Sequence, residues 1–252
     1  MRARAPGRPA PVSFGRPPSP AAVREIHRRL RGRFGPLDPP RWQDPIDELI
    51  FTVLSQNTSD VNSARAYTAL RARYSSWEAV AEADPEELAA VIRPGGLANI
   101  KAPRILAILA AIAARERGSL DLSWLREAST PRARGYLLSL PGVGQKTAAC
   151  VLAFSLGRPA LPVDTHVFRV GRRLGLLDSG TDAARAHAVM EKLVPAPLRI
   201  PMHVGMIRLG REVCRAGTPS CPVCPLLSLC PSAQVFLELP RQERRRKSHG
   251  PA

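Results

Sequence analysis

Apolar residues recur at helical spacing along most of the chain, and this pattern limits the fold more than any other feature. Runs of alternating β-branched residues, which strands favour, are nearly absent. A helix start is predicted at Asp84 and Pro85, and a long apolar helix from Ile100 to Arg117 with Gly118 as its end. Similar spacing predicts helices over 44–54, 62–74 and 182–194. The sequence therefore predicts an all-α protein.

The charge of the chain points to a polyanionic partner. Lys and Arg number 37 against 21 Asp and Glu, for a net charge of +16, which is typical of nucleic-acid-binding proteins. An arginine-rich proteome gives the same excess, so charge alone does not decide. Only four basic residues are lysines, and arginine cannot act as an amine nucleophile, so a lysine inside a motif is a candidate catalytic group. The four are Lys101, Lys146, Lys192 and Lys247.

Composition excludes several classes of protein. At 252 residues and 44% apolar content the chain can bury a core, so global disorder is excluded. No apolar run reaches the roughly 20 residues of a membrane span, and the first twenty residues lack a secretion signal. We therefore expect no membrane partner and a cytoplasmic location, at the bacterial nucleoid. The Pro- and Arg-rich segments 1–19 and 236–252 are predicted to be a disordered basic arm and a basic tail.

Four of the five cysteines fall within seventeen residues, with the spacing C-x6-C-x2-C-x5-C. In a cytosolic chain this clustering favours metal binding over disulfides. Four thiolates can hold either a tetrahedral zinc or a [4Fe–4S] cluster. Cys150 stands apart in an apolar helical stretch and is predicted to be a small buried hydrophobe. The predicted ligands are Cys214, Cys221, Cys224 and Cys230.

A glycine-containing turn lies between two predicted helices at 140–148, in the string LPGVGQKTA. Pro141 ends the first helix, and Gly142 and Gly144 permit a tight turn and a close approach by another backbone. The second helix begins near Lys146, so its free N–H groups can bind a phosphate. The spacing of glycine and lysine is not that of a Walker loop.

This string resembles the helix-hairpin-helix of DNA glycosylases related to endonuclease III. The segment 161–170, LPVDTHVFRV, resembles that family's Val-Asp-Thr-His segment, which carries the catalytic aspartate, here Asp164. The cysteine spacing resembles the family's iron–sulfur loop and favours a [4Fe–4S] cofactor over zinc. The similarity runs from about residue 21 to residue 232. It implies two α-helical domains flanking a DNA-binding cleft: a helical-barrel domain at 39–157, and a cluster domain formed by 20–38 with 158–235.

Lys146 and Asp164 are the predicted catalytic pair. A neutral amine can attack C1′ of a damaged nucleotide and form an imine, which divides one difficult bond cleavage into two steps. Asp164 can accept a proton or stabilise positive charge on the sugar. The helix start disfavours the charged form of Lys146 and the carboxylate favours it, so the two influences oppose each other. Taken singly, Lys146 could hold a phosphate and Asp164 could cap a helix, but the two motifs together favour catalysis.

The resemblance also implies a set of DNA contacts. One wedge is the loop 54–60, where Asn57, or less favourably Gln56, addresses the orphaned partner base; the alternative is a helix-capping polar loop. A second wedge is the loop 94–101, with Leu97 intercalated and Ala98 where many relatives carry an aromatic. The loop between the first two cysteines is expected to meet phosphates, with Arg215 as its only basic residue. The remaining predicted contacts are Gly142, Gly144, Thr165, His166 and Arg169.

The resemblance predicts a bifunctional DNA glycosylase and AP lyase of base-excision repair. A lysine at the hairpin marks the members that also cleave the strand by β-elimination. The expected substrate class is oxidised pyrimidines, and the expected partner of the monomer is double-stranded DNA with a damaged base or an abasic site. Two alternatives stay open: a mismatch adenine glycosylase of the same superfamily, which Lys146 disfavours, and a non-catalytic DNA-binding module with a structural cluster.

Overall fold

A computed structural model describes residues 18–38 and 44–238. Every regular element in these residues is a helix or a helical turn, which confirms the all-α prediction. None of these helices combines the length and the apolar character needed to cross a membrane. Most of the predicted basic arm (1–17) and of the basic tail (239–252) lies outside the described residues.

The chain divides into two compact units. We call residues 39–162 the hairpin unit and residues 1–38 with 163–252 the cysteine unit. The first division coincides with the predicted one at 38/39, and the second falls at 162/163 rather than 157/158. The assignment of a helical-barrel domain and a cluster domain to these units stays a prediction.

The hairpin unit is built around α2, whose apolar side chains are almost all buried. This helix packs against α3, α6 and α8, and Ile105, Ile108 and Leu109 of α6 are fully buried in the same unit. The helices are α2 (Pro45–Leu54), α3 (Asp60–Arg73), α4 (Trp77–Ala81), α5 (Pro85–Val91), α6 (Ala98–Arg115), α7 (Thr130–Leu138) and α8 (Gln145–Cys150), with 3₁₀ turns at Arg93–Gly95 and Ser123–Arg126 and a π-helical turn at Val151–Ser155.

The cysteine unit packs α1 against α11 and α11 against α9. Val23, Ile26 and Leu30 form the buried face of α1. The helices are α1 (Pro20–Phe34), α9 (Thr165–Arg173), α10 (Ala183–Leu193), α11 (Arg199–Glu212) and α12 (Ala233–Glu238), with 3₁₀ turns at Ala196–Leu198, Cys221–Val223 and Leu227–Leu229.

Capping residues set the helix boundaries. The Asp84 carboxylate accepts hydrogen bonds from the backbone N–H groups of Glu86 and Glu87, as the sequence indicated. The long helix begins at Ala98, two residues before the predicted start, because the carbonyl of Leu97 already accepts from the N–H groups of Ile100 and Lys101. It ends at Arg115, two residues before the predicted end, and the chain enters the left-handed region at Arg117 and Gly118.

Candidate active site

The hairpin turn separates α7 from α8. Gly142 has φ +71°, a conformation that favours glycine, and a Cβ added there would come within 3.0 Å of the Arg104 side chain. Gly144 is the N-cap of α8 with ordinary extended backbone, and a Cβ added there would meet no protein atom within 4 Å. The fold therefore requires glycine at 142, whereas the space beside Gly144 is open to a ligand.

Lys146 is the second residue of α8 and is half-buried. In the part of the chain that the structure describes, no carbonyl, hydroxyl or carboxylate forms a hydrogen bond or an ion pair with its amine. The charged group within electrostatic reach is Glu48 of α2, the helix that packs against α8. The side chain is thus partly enclosed, and its amine has no hydrogen-bond partner among the described residues.

Glu48 is a candidate site residue that sequence reasoning missed. It is only 3% exposed, and the hydroxyl of Thr52 donates a hydrogen bond of 2.9 Å to its Oε1 atom. Burial raises the pKa of Glu48 to about 7, although the Thr52 hydrogen bond and the positive charge of Lys146 both lower it. The sequence offers two adjacent acids in α2, Asp47 and Glu48, and only the folded chain shows that Glu48 is the buried one.

The two predicted wedge residues share an unusual backbone conformation. Asn57 and Leu97 both have φ +52°, which costs most non-glycine residues about 1–2 kcal/mol and asparagine less. Asn57 is exposed, and Leu97 is 49% exposed. Gln56, the less favoured candidate, is half-buried, and its Oε1 atom accepts a hydrogen bond of 2.8 Å from Arg104. Local backbone strain of this kind clusters at functional sites.

Lys101 joins the two wedge loops from the inside. Its ammonium donates hydrogen bonds of 2.7 Å to the carbonyl of Leu54 and 2.8 Å to the carbonyl of Gly95. The side chain is 2% exposed, and burial lowers its pKa. Within the hairpin unit, the structure thus brings together the loops of Asn57 and Leu97, and Arg104 links Gln56 to the turn at Gly142.

Asp164 lies in the other unit and is the N-cap of α9. Its Oδ1 atom accepts a hydrogen bond of 2.7 Å from the backbone N–H of Val167. Asp164 therefore does cap this helix, as the alternative interpretation of the residue supposed. The capping bond uses one of the two carboxylate oxygens, and the side chain is half-buried. The next residue, Thr165, is exposed at the start of the helix.

Arg169 is bonded inside the cysteine unit. Its guanidinium donates to the carbonyl of Cys214 at 3.0 Å and to the carbonyl of Gly210 at 2.9 Å, and it lies 3.0 Å from Nδ1 of half-buried His166. These bonds connect α9 to α11 and to the cysteine loop. Arg215, by contrast, is exposed. DNA contacts by His166, Arg169 and Arg215 stay predictions.

The four clustered cysteines line one cavity of the cysteine unit, together with Arg173, Val213, Leu227 and Phe236. No three of the described His, Cys, Asp or Glu side chains are grouped closely enough to hold a single metal ion. Arg173 donates a hydrogen bond of 3.3 Å to the sulfur of Cys214, and its carbonyl accepts one from Cys230. Burial raises the pKa of the Cys230 thiol to about 12.

The four cysteines form a ligand set that fits a [4Fe–4S] cluster or a zinc ion. A zinc ion draws four sulfurs to about 2.3 Å around one point, whereas the thiolates of a cluster are ligands to a larger inorganic body. A cavity lined by four thiols accepts either group, and the choice of a cluster stays a prediction from the cysteine spacing. A buried thiol with a raised pKa gives up its proton when a cationic metal replaces it.

Comparisons with known proteins show which family the chain is similar to. A family model described as HhH-GPD superfamily base excision DNA repair protein matches residues 50–196. Endonuclease III of Thermotoga maritima is 37% identical over 211 residues, which cover 82% of this chain and 92% of the relative. Endonuclease III of Synechocystis sp. is 36% identical over 195 residues, or 77% of this chain and 84% of the relative.

Solved structures give the same result. The chain is similar to endonuclease III in a non-covalent complex with DNA, with a TM-score of 0.76 and 30% identity over 88% of this chain and 100% of the other. The values for a trapped covalent endonuclease III–DNA intermediate are the same. These relatives confirm the predicted enzyme class, a DNA glycosylase and AP lyase of base-excision repair. The chain belongs to the endonuclease III family of the HhH-GPD superfamily.

Proposed function

We propose that the chain removes oxidised pyrimidines from duplex DNA and then cuts the strand at the abasic site, with Lys146 as the nucleophile. The observation that carries the proposal is the state of the Lys146 amine. It sits at the start of α8, and no described residue holds it in a hydrogen bond or an ion pair. An amine held in an internal ion pair would have no lone pair to offer.

The first step replaces the base by the enzyme. The neutral amine of Lys146 attacks C1′ of the extruded nucleotide, the C1′–N bond breaks, and the base leaves with a proton. Opening of the sugar ring then gives an imine between Lys146 and C1′. The negative carboxylate of Asp164 stabilises the positive charge that develops on the sugar, and its capping bond leaves the second oxygen for this role.

The second step cuts the strand. The imine acidifies the proton on C2′, a base removes that proton, and the C3′–O bond breaks with departure of the phosphate. Water then hydrolyses the imine, which releases an unsaturated aldehyde on the DNA and returns the Lys146 amine. Asp164 is the proposed carrier of protons in these transfers.

Base extrusion uses the two strained loops. Exposed Leu97 enters the stack, and Asn57 addresses the orphaned partner base, because Gln56 is already bound by Arg104. The open space at Gly144 admits the DNA backbone to the N–H groups at the start of α8. The partner is double-stranded DNA with a damaged base or an abasic site, bound by a monomer in the cytoplasm.

The four clustered cysteines hold a [4Fe–4S] cluster in this proposal. Its support is the shared cavity and the hydrogen bond from Arg173 to the Cys214 sulfur. When bound, the cluster organises the loop between Cys214 and Cys221, whose exposed Arg215 then meets DNA phosphates. The residues of the chain itself carry out the reaction on the sugar.

Borohydride trapping tests the nucleophile. Borohydride reduces the imine to a stable amine, so the wild type becomes cross-linked to an oligonucleotide that contains an abasic site. We expect no cross-link with Lys146→Ala. Lys192→Ala, which removes an exposed lysine of α10, is the matched control and should be trapped like the wild type.

The substrate class is tested by excision from duplexes that carry one thymine glycol.

Three results would contradict the proposal. Trapping of Lys146→Ala at the wild-type rate assigns the imine to another amine. Absence of trapping with the wild type, in a sample that binds the abasic duplex, favours the non-catalytic binding module. Excision of adenine from a mismatch in preference to thymine glycol favours the adenine glycosylase.

Metal content tests the cluster. The purified protein should contain about four irons and four sulfides per chain. Cys224→Ser should lose them, whereas Cys150→Ala, which alters the buried cysteine of α8, should keep them. One zinc per chain in place of iron would contradict the proposed cofactor.

A further inference from the structure

Lys101 is a lysine that the proposed reaction does not use. It is one of only four in a chain with 37 basic residues, and at 2% exposure it is among the largest fully buried side chains. Removing an ammonium from water costs several kcal/mol, which hydrogen bonds to carbonyls only partly offset. An apolar side chain of similar length would avoid that cost but would leave the buried carbonyls of Leu54 and Gly95 without their donor. The presence of Lys101 is therefore tied to the arrangement of these two carbonyls.

The two carbonyls that Lys101 binds belong to the two wedge loops. Leu54 is the last residue of α2 and lies three positions before Asn57. Gly95 ends a 3₁₀ turn and lies two positions before Leu97. These partners are 47 and 6 positions from Lys101 in sequence. A single buried cation thus joins two loops that are far apart in the chain.

The loops meet closely at this point. A Cβ added to Gly95 would lie 3.0 Å from the Cβ of Ala66 on α3 and 3.8 Å from the carbonyl oxygen of Leu54. The 3₁₀ turn at Arg93–Gly95 also packs against α3. Little space is left for either loop to move while the ammonium holds both carbonyls.

The conformation downstream of each carbonyl is strained. Asn57 and Leu97 both have φ +52°; asparagine adopts this conformation readily, whereas for leucine it persists only when the surrounding structure enforces it. The third non-glycine residue with positive φ in the described segments is Arg117, at the end of α6. Two of three strained positions therefore follow directly from the carbonyls that Lys101 anchors.

Lysine suits this position better than arginine. Its ammonium is a compact charge with three donors on a thin stem, whereas a guanidinium is planar and wide. Arg104, one turn further along α6, uses its wider group at the half-buried side chain of Gln56. The same helix thus carries one cation that joins the wedge loops and one that reaches the hairpin turn.

We propose that Lys101 is a positioning residue for base extrusion: its buried ammonium fixes the loops of Asn57 and Leu97 in one arrangement, so that both residues enter the duplex together. This rests on the proposed function, because it assigns Asn57 and Leu97 to the opening of the duplex. Lys101 does not touch the substrate, and it acts through the two loops.

The test compares a substrate that must be opened with one that is already open. Lys101→Met keeps the length of the side chain and removes the ammonium. Excision of thymine glycol from a duplex is measured under single-turnover conditions, beside cleavage of a single-stranded oligonucleotide with one abasic site. We expect duplex excision to fall about 100-fold, as misplacement by about 1 Å can cause, while single-strand cleavage keeps most of its rate.

A second variant separates positioning from folding. Leu97→Ala removes a wedge at an exposed site and should show the same selective loss on duplex DNA. The double variant should lose little more than the stronger single variant, because both changes affect one event. Lys101→Gln, which retains an amide donor for the carbonyls, should recover part of the duplex activity.

Equal loss on both substrates by Lys101→Met would overturn the proposal, because it indicates a purely structural role. Unchanged excision from the duplex would overturn it too. A failure of the proposed function itself looks different: the wild type would then cleave neither substrate, or Lys146→Ala would cleave the single strand like the wild type.

Discussion

Lys101 and Lys146 carry the same amine within one unit of the protein, and their surroundings are opposite. The Lys101 ammonium is 2% exposed and donates to two carbonyls. The Lys146 amine is half-buried and, among the described residues, has a buried carboxyl in electrostatic reach but no hydrogen-bond partner. The comparison shows how one side chain serves two purposes: bonded donors fix a structure, and an unbonded amine can react.

The neighbouring loops repeat this contrast at the backbone level. The loops anchored by Lys101 hold two non-glycine residues in the left-handed conformation. The turn before Lys146 takes its positive φ at Gly142, which accepts it at little cost. Positive φ thus falls on non-glycine residues in the loops that we propose to enter the duplex, and on a glycine next to the proposed nucleophile.

The largest expected effect is on the reactive lysine. Lys146→Arg keeps a positive charge at the hairpin but removes the nucleophilic amine. We expect strand cleavage at an abasic site to fall by about 10⁴-fold or more, the range seen when a covalent nucleophile is lost, while affinity for an abasic-analogue duplex changes little. Gel-based cleavage and fluorescence anisotropy measure the two quantities. If Lys146→Arg cleaved within tenfold of the wild type, Lys146 would not be the reactive lysine, and its contrast with Lys101 would not hold.

A second prediction concerns the buried carboxyl beside Lys146. The pKa of Glu48 is raised from 4.5 to about 7, so between these pH values the folded chain binds a proton that the unfolded chain has released. Its contribution to the free energy of unfolding therefore falls as the pH rises through this window. The full loss above pH 7 is about 3 kcal/mol.

Glu48→Gln removes this dependence. Relative to the wild type, the variant should gain about 3 kcal/mol in free energy of unfolding between pH 4 and pH 8, measured by urea denaturation at fixed ionic strength. Lys146→Ala should extend the window upward, because the positive charge that lowers the pKa of Glu48 is gone. Parallel pH profiles for the wild type and Glu48→Gln would show that this carboxyl is not buried as described.

The smallest predicted effect belongs to Arg104. Arg104→Met breaks the hydrogen bond to Gln56 and leaves the apolar stem beside Gly142. A hydrogen bond from a charged donor contributes about 1.5–3 kcal/mol. At this half-buried site we expect the lower end of that range, which corresponds to a roughly tenfold fall in duplex excision. Arg185→Met removes a guanidinium from an exposed position on α10 and is the control. If Arg104→Met lost as much duplex excision as Lys101→Met, the two cations of α6 would contribute equally to base extrusion.

Local features of the site could be predicted from the sequence, and long-range features could not. The turn at Gly142, the start of α8 beside Lys146 and the cap at Asp84 depend on neighbouring residues, and the structure has them within one or two positions. The partners of Lys101 come from residues up to 47 positions away. The sequence marked that lysine as rare but gave no sign of its acceptors.

Helix packing explains why the other contacts could not be predicted from the sequence. Glu48 is an ordinary polar position by its spacing, and its role follows only from the packing of α2 against α8. The bonds of Arg169 to the carbonyls of Gly210 and Cys214 likewise depend on how α9 meets α11. Such contacts join elements that no local pattern connects, so they become visible only in the folded chain.

The central claim is that the free amine of Lys146, and no other, bonds to the sugar. Peptide mapping after borohydride trapping tests it most directly. The wild type is reduced on a duplex with one abasic site, nuclease and protease remove the flanking chains, and mass spectrometry locates the remaining sugar fragment. We expect the fragment on the peptide that contains Lys146. A fragment on Lys192, on Lys247 or on the amino terminus would contradict it.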